Sequence, residues 1–271
     1  MSFYHFTPQA SSNSSIRSFS ILEEPQFVFN QRITLPEAYP FLLVNVGSPL
    51  ICEINNGSKI ELPRAFLLWA QTYPLKIHAT GFCHFIGLHL NTWELRFLAD
   101  EQVNFTTTSI IPLSSAWQNV PCLLEGALRS GGNLEALAVL EQFFNDLHHS
   151  TPSNITSVRV ILEKLYEANG QCSVDELAAQ CYFSISQLER LVKYFTGQTP
   201  KTLARLIRFD HACSGLLHVP SNRLTDLAYT LGYVDQAHFN HEFHAFSGSS
   251  PRKVRNYVYQ LATNAEFLQF P

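Results

Sequence analysis

With 271 residues, 46% of them hydrophobic and 13% aromatic, the chain has material for two packed cores, which excludes a disordered chain and a small disulfide-stapled scaffold. A net charge of −4 excludes bulk electrostatics as a basis for nucleic-acid binding: residues 1–154 hold 7 Lys and Arg against 12 Asp and Glu, and residues 155–271 hold 11 against 10, with five histidines. No apolar run is long enough to cross a bilayer, and no signal-type segment follows the Ser/Asn-rich stretch Ser11 to Ser15, so a cytoplasmic chain with no membrane partner is expected.

From Ile16 to Leu90 the sequence reads as short strands: Phe27 to Phe29, Phe41 to Val46, Ile51 to Ile54, Phe66 to Trp69 and Phe82 to Leu90. β-Branched and aromatic residues fill these runs, Pro, Gly and Asn punctuate them, and Asn55-Asn56-Gly57 reads as a hairpin turn. Their spacing predicts a small antiparallel sandwich or barrel. Beyond Asn91 the period changes, and Leu123 to Leu128 and Leu134 to Leu147 repeat apolar residues at helical spacing. The polar, Pro-containing run from His148 to Asn154 is the best boundary in the chain. The expected class is therefore α+β. An N-terminal antiparallel β barrel or sandwich with trailing helices occupies residues 1–150, and an all-α domain with two helix-turn-helix lobes occupies residues 155–271.

Helix starts are marked clearly in the second half. Ser173-Val-Asp-Glu176 and Ser184-Ile-Ser-Gln187 fit the capping box, in which side chains at both ends satisfy free backbone N–H groups, and Asp235 can cap a later helix. Two segments repeat: Leu177-Ala178, Leu188, Val192, Phe195, Gly197, Pro200, and then Leu227-Ala228, Phe239, Phe243, Phe246, Gly248, Pro251. The offset is 50 residues at the Leu-Ala pair and 51 afterwards, which places one inserted residue at the turn. Leu188, Leu191, Val192 and Phe195 make one apolar stripe, as do Phe239, Phe243 and Phe246. The opposite faces carry Ser186, Gln187, Glu189, Arg190 and Lys193 in the first copy, and Gln236, Ala237, His238, Asn240, His241 and His244 in the second. A short helix, a tight turn and a second helix with a polar face describe a helix-turn-helix, whose second helix fits a major groove.

These residues resemble the AraC/XylS family of transcriptional regulators. The resemblance rests on Asp175 to Ala178, Ser184 to Arg190, Gly197 to Pro200, Arg208-Phe209, Leu224 to Ala228, Gly232 to Phe239 and Gly248 to Pro251, and covers about residues 157–259. It implies two three-helix lobes joined by one long helix, which place two recognition helices in successive major-groove segments of double-stranded DNA. The base-facing positions it implies are Ser186, Gln187, Glu189 and Arg190 in the first helix and Gln236, Ala237, His238, Asn240 and His241 in the second, and the polar faces add Lys193 and His244 to the expected DNA contacts. Residues 60–150 resemble a cupin-like sensor or dimerisation domain through Leu62-Pro63, Trp69 to Thr72, Phe85 to Leu90 and Pro112-Leu113. RNA polymerase, a small-molecule effector in the N-terminal domain and a second copy of the chain as a homodimer are left open as further partners. Three departures stand out. Tyr182 sits where the second copy has Gly232, His241 and His244 replace the usual Arg and Lys, and Glu242 takes the place of Leu191.

No cofactor or metal is expected. His78, His84 and His89 lack the His-x-His and following Glu of metal-binding cupins, and His84 and His89 fall on opposite faces of a strand. The six cysteines form no Cys-x-x-Cys pair and read as reduced, mostly buried thiols, Cys83 among them. Tyr39, Trp69, Tyr73 and Trp93 read as core, with a ligand cavity as the other option. The N-terminal half offers no Gly-x-Ser-x-Gly, phosphate loop or carboxylate pair, so no enzyme is expected. The alternative is a cupin-like small-molecule-binding or catalytic protein whose degenerate helix-turn-helix serves protein interaction.

Overall fold

The computed structural model describes residues 2–7, 15–24, 32–53, 57–69, 72–99, 103, 105, 109–147, 155–218, 224–256 and 266–267. Eleven strands are present among them: β1 (Ser2–Phe6), β2 (Ile16–Glu24), β3 (Arg32–Thr34), β4 (Phe41–Asn45), β5 (Leu50–Glu53), β6 (Lys59–Glu61), β7 (Ala65–Leu68), β8 (Leu75–Ala79), β9 (Cys83–Leu90), β10 (Ile110–Pro112) and β11 (Glu266–Phe267). The helices are α1 (Leu95–Leu98), α2 (Val120–Leu147), α3 (Ile155–Glu167), α4 (Val174–Cys181), α5 (Ile185–Thr196), α6 (Pro200–His218), α7 (Leu224–Thr230) and α8 (Gln236–Ser247).

The strands form two sheets, β10-β7-β4-β9-β2-β1-β11 and β3-β8-β5-β6. All pairings are antiparallel except the short β1–β11 contact. The alternation of side chains along a strand explains how the larger sheet serves two cores. Phe41 and Leu43 of β4, with Phe66 and Leu68 of β7, face Leu50, Cys52 and Leu75 of the smaller sheet. Leu42, Val44, Leu67, Ile86, Leu88 and Leu90 point the other way, into a core shared with the helices. Burial on both faces is why β4 reads as an unbroken apolar run. Lys59–Glu61 is exposed throughout and ends the smaller sheet with charge, which discourages pairing with another chain.

The expected α+β architecture is the observed one. Three of the strands read from sequence appear within a residue or two of their expected ends, as β4, β7 and β9, while β5 runs Leu50–Glu53. Phe27 to Phe29, Ile54 to Asn56, and the boundary run 148–154 lie outside the described residues. The two helical stretches read at 123–128 and 134–147 belong to α2, interrupted at Gly132, whose φ of 73° departs from helix geometry. That break turns the apolar faces Val120, Leu124, Ala127 and Ala136, Leu140, Phe144 each onto the core.

The shared core does not stop where the helical half begins. Val158, Ile161, Leu165, Leu188, Val192, Phe195, Leu206 and Phe209 belong to the same buried cluster as Trp69, Trp93, Leu95 and Phe105. The helical half is thus packed on the sheet.

Candidate nucleic-acid interface

The repeat is realised in three dimensions. Ser173 begins α4 and Ser184 begins α5, each with a complete capping box: Ser173 N–H donates to Glu176 Oε2 at 2.8 Å, and Ser184 N–H to Gln187 Oε1 at 3.1 Å. Asp235 Oδ1 accepts from the His238 N–H at 2.7 Å and starts α8 in the same way. Both recognition helices also end alike. Thr196 and Ser247, 51 residues apart, each donate from the hydroxyl to the carbonyl four residues back, at 2.7 and 2.8 Å. Each hydroxyl accepts from the N–H two residues on, at 3.1 and 3.2 Å. Gly197 and Gly248 then reverse the chain in left-handed conformations. The sequence reading missed this hydroxyl latch; the matched Thr-Gly and Ser-Gly pairs were its signal.

The polar faces emerge where the pattern placed them. Ser186, Gln187, Glu189, Arg190 and Lys193 are exposed on α5, and Ala237, His238, Asn240, His241 and His244 on α8. Two of the candidates carry local duties as well. Gln187 gives its side-chain oxygen to the cap, and half-buried Gln236 accepts from Thr225 Oγ1 at 2.8 Å, tying α8 to α7. His238 rests edge-on against Tyr233, with ring centroids 5.4 Å apart. Tyr182 holds the left-handed turn at φ 58° with 97% of its surface exposed, whereas the second copy places Gly232 there at φ 74°.

Glu242 departs from the apolar stripe because it has a partner. Arg205 of α6 grips it from two nitrogens, Nε to Oε2 at 2.6 Å and Nη2 to Oε1 at 3.1 Å. Burial alone would raise the Glu242 carboxyl, but the Arg205 hydrogen bonds and charge, with His238 and Arg208, hold it below its ordinary value.

The end of α5 is held by the β half. Trp69 Nε1–H donates to the Thr196 carbonyl at 2.7 Å, and Arg96 Nε–H to the Tyr194 carbonyl at 3.0 Å. The Arg96 guanidinium lies 4.5 Å from the Phe105 ring centre and 4.6 Å from that of Tyr194. Gly197 approaches Phe105 so closely that a Cβ would come within 2.6 Å of its backbone carbonyl carbon.

Elsewhere on the seam, half-buried Asp210 of α6 shares its surroundings with the charges of Glu37, His89 and Arg17. Burial, then the nearby Glu37 charge, raise its pKa to about 7 against the pull of His89 and Arg17. A cavity of about 490 Å³ opens close by, lined by Arg17, Tyr39 and Trp93 from the β half and by Arg159, Tyr166 and His211 from the helices. His84 bonds Asn133 at 2.9 Å, and His89 bonds Glu37 at 3.1 Å. Among the described residues no group of His, Cys, Asp or Glu could hold a metal ion. Cys83 is buried, as are Cys52 and Cys181. Trp69 and Trp93 are core residues. Among the described residues no helix is long and apolar enough to cross a membrane.

A family model described as a helix-turn-helix domain matches residues 177–257, the span of both units. The match concerns the helical half alone. The same region is 36% identical over 81 residues to the HTH-type transcriptional activator RhaS of Shigella boydii, and 35% identical to RhaS of Klebsiella pneumoniae. Each match spans 30% of this chain and 29% of RhaS, so the chain covers under a third of these curated relatives. Over nearly its whole length it has the fold of ToxT from Vibrio cholerae. That likeness has a TM-score of 0.52 at 10% identity and covers 90% of this chain and 98% of ToxT. A ToxT structure with a bound unsaturated fatty acid gives a TM-score of 0.52 at 11% identity, over 95% of this chain and all of that one. The matched helix-turn-helix region thus sits within a ToxT-like fold.

Proposed function

We propose that the protein is a sequence-specific, DNA-binding transcriptional regulator whose helices α5 and α8 enter successive major-groove segments of one duplex. The observation that carries this reading is the pair of helix-turn-helix units, each with a polar, solvent-facing second helix, joined through the single helix α6. Arg190, Asn240 and Gln236 are suited to base edges, Lys193, His241 and His244 to phosphates, and Glu189 to a cytosine amino group. Ser186, Gln187, Ala237 and His238 complete the two faces. Residues 1–150 form the cupin-like sensor half and residues 155–271 the DNA-binding half. No catalytic role is proposed, and the cytoplasm is the proposed location.

A small-molecule effector is proposed for the β half, supported by the ToxT-like fold and by the cavity that spans both halves. RNA polymerase and a second copy of the chain are proposed partners on the family likeness alone. The test of the central reading is selection of sites from a randomised duplex library by the purified full-length protein. Two conserved blocks about one helical turn (~10 bp) apart are expected. Recovery of no preferred sequence would favour the interaction-module alternative.

A further inference from the structure

We propose that Arg205 and Glu242 are positioning residues for the second recognition helix: their two-point bond fixes the roll of α8 about its own axis, and so decides which of its side chains meet the bases. The proposal rests on the DNA-binding reading above.

Besides this pair, apolar contacts hold α8. Its buried stripe is three phenylalanines, Phe239, Phe243 and Phe246, against Phe209 of α6 and Tyr233. Phe209 lies 5.0 Å from Phe243 and 5.2 Å from Phe246, and Tyr233 lies 5.3 Å from Phe239, ring centre to ring centre. The apolar burial in these contacts is non-directional, and the angular preference of a ring pair is worth only about 0.5–1.5 kcal/mol. A roll of about 20° moves a side-chain tip at the roughly 5 Å radius of a helix surface by about 2 Å. That is enough to break every base hydrogen bond on the face.

Glu242 lies on the flank of this stripe that faces α6, and the Arg205 fork meets both of its oxygens. Planar two-point pairing constrains angle as well as distance, and does so more tightly than the ring contacts of the stripe. The pair is sheltered, with 14% of the Glu242 side chain and 33% of the Arg205 side chain exposed, so solvent screens it little. The Arg205 guanidinium also lies 5.2 Å from the centre of the Phe246 ring, which joins the fork to the stripe. The charged groups facing Glu242 are Arg205 and Arg208 from α6, and His238 and His241 on α8 itself, with His241 Nδ1 at 4.0 Å. Arg205, His238 and Arg208 favour the ionised carboxylate. The first lobe has half-buried Leu191 at this position and fixes the end of its helix through Trp69 and Arg96 instead.

The test repeats the randomised-duplex selection with full-length Glu242→Gln, Glu242→Leu and the swapped pair Arg205→Glu/Glu242→Arg, alongside wild type. In both single variants the block read by α8 should lose its sequence preference, with binding weakened about tenfold, while the block read by α5 stays sharp. The swapped pair should recover much of the lost block. Glu242→Leu keeps the experiment decisive if the Gln variant fails to fold, since it supplies the side chain the first lobe tolerates. Wild-type affinity and an unchanged site in the single variants would overturn the proposal, as would equal blurring of both blocks, which marks general destabilisation. A wild-type protein that selects nothing would overturn the DNA-binding reading itself.

Discussion

The indole N–H of Trp69 reaches the backbone carbonyl of Thr196 at 2.7 Å across 127 positions of sequence, with both residues shut away from solvent. One end of the first recognition helix is therefore part of the β half's interior. Trp69→Phe keeps most of the ring but leaves that carbonyl without its donor in dry surroundings, at a cost of about 1–3 kcal/mol. Urea denaturation of the full chain should show the loss, with faster amide exchange over residues 193–198. An unchanged midpoint would mean another donor takes over.

Arg190 is exposed on α5, one turn before Lys193. If it pairs with a guanine in two-point fashion, Arg190→Ala should weaken binding by about 1–3 kcal/mol and relax preference in one block of the site. Retained affinity and preference would place DNA on another face of the helix.

His241 and His244 stand exposed on α8, and Glu242, already engaged by Arg205, lies 4.0 Å from His241. The double change His241→Arg, His244→Lys puts fixed positive charge on that face. If the face meets phosphates, the variant should bind DNA more tightly and steepen the salt slope by up to about 2. Titrations at several salt concentrations check this, and unchanged affinity and slope would show that these positions do not face phosphate.

Asp210 gives a stability that depends on pH in the opposite sense to most carboxylates. Its pKa in the folded chain is about 7, above the ordinary 3.8, so the protonated form is the one the fold prefers. The stability it contributes is complete below the unfolded value and is lost as the pH rises through about 7. Asp210→Asn mimics the protonated acid, so its advantage over wild type should grow between pH 5 and pH 8. The gain should be on the order of 1–2 kcal/mol once partial exposure of the residue is discounted. Urea midpoints at the two pH values measure it; an advantage that does not change with pH would place the titration elsewhere.

How much of this was legible in the sequence follows the range of each interaction. Ser173, Ser184 and Asp235 announced helix starts because a cap and its acceptor lie within three residues. The stripe Phe239, Phe243, Phe246 announced a buried face because helical period is local too. Tyr182 could be placed at a left-handed turn because the second copy has glycine there. Strand β8, Leu75–Ala79, was not legible: only Leu75 in it is fully buried, and its lysine and histidine blur the alternation. Glu242 was visible as a break in the stripe, yet its partner lies 37 residues away on another helix, and nothing local points to Arg205. The grip of Trp69 and Arg96 on α5 was equally hidden, because it depends on how two halves meet.

The near-contact of Gly197 with Phe105 has a bearing on how such chains can evolve. A polar joint makes it easy for recombination to exchange one helical half for another at the level of the gene. The fold makes it hard, since an incoming half with any side chain at position 197 would collide with the backbone at 105. Its helix end would also have to place the main-chain carbonyls of positions 194 and 196 where Trp69 and Arg96 meet them. The proposed specificity for a DNA site can therefore drift by substitution along the exposed faces, while wholesale replacement of the helical half must carry its matching seam with it.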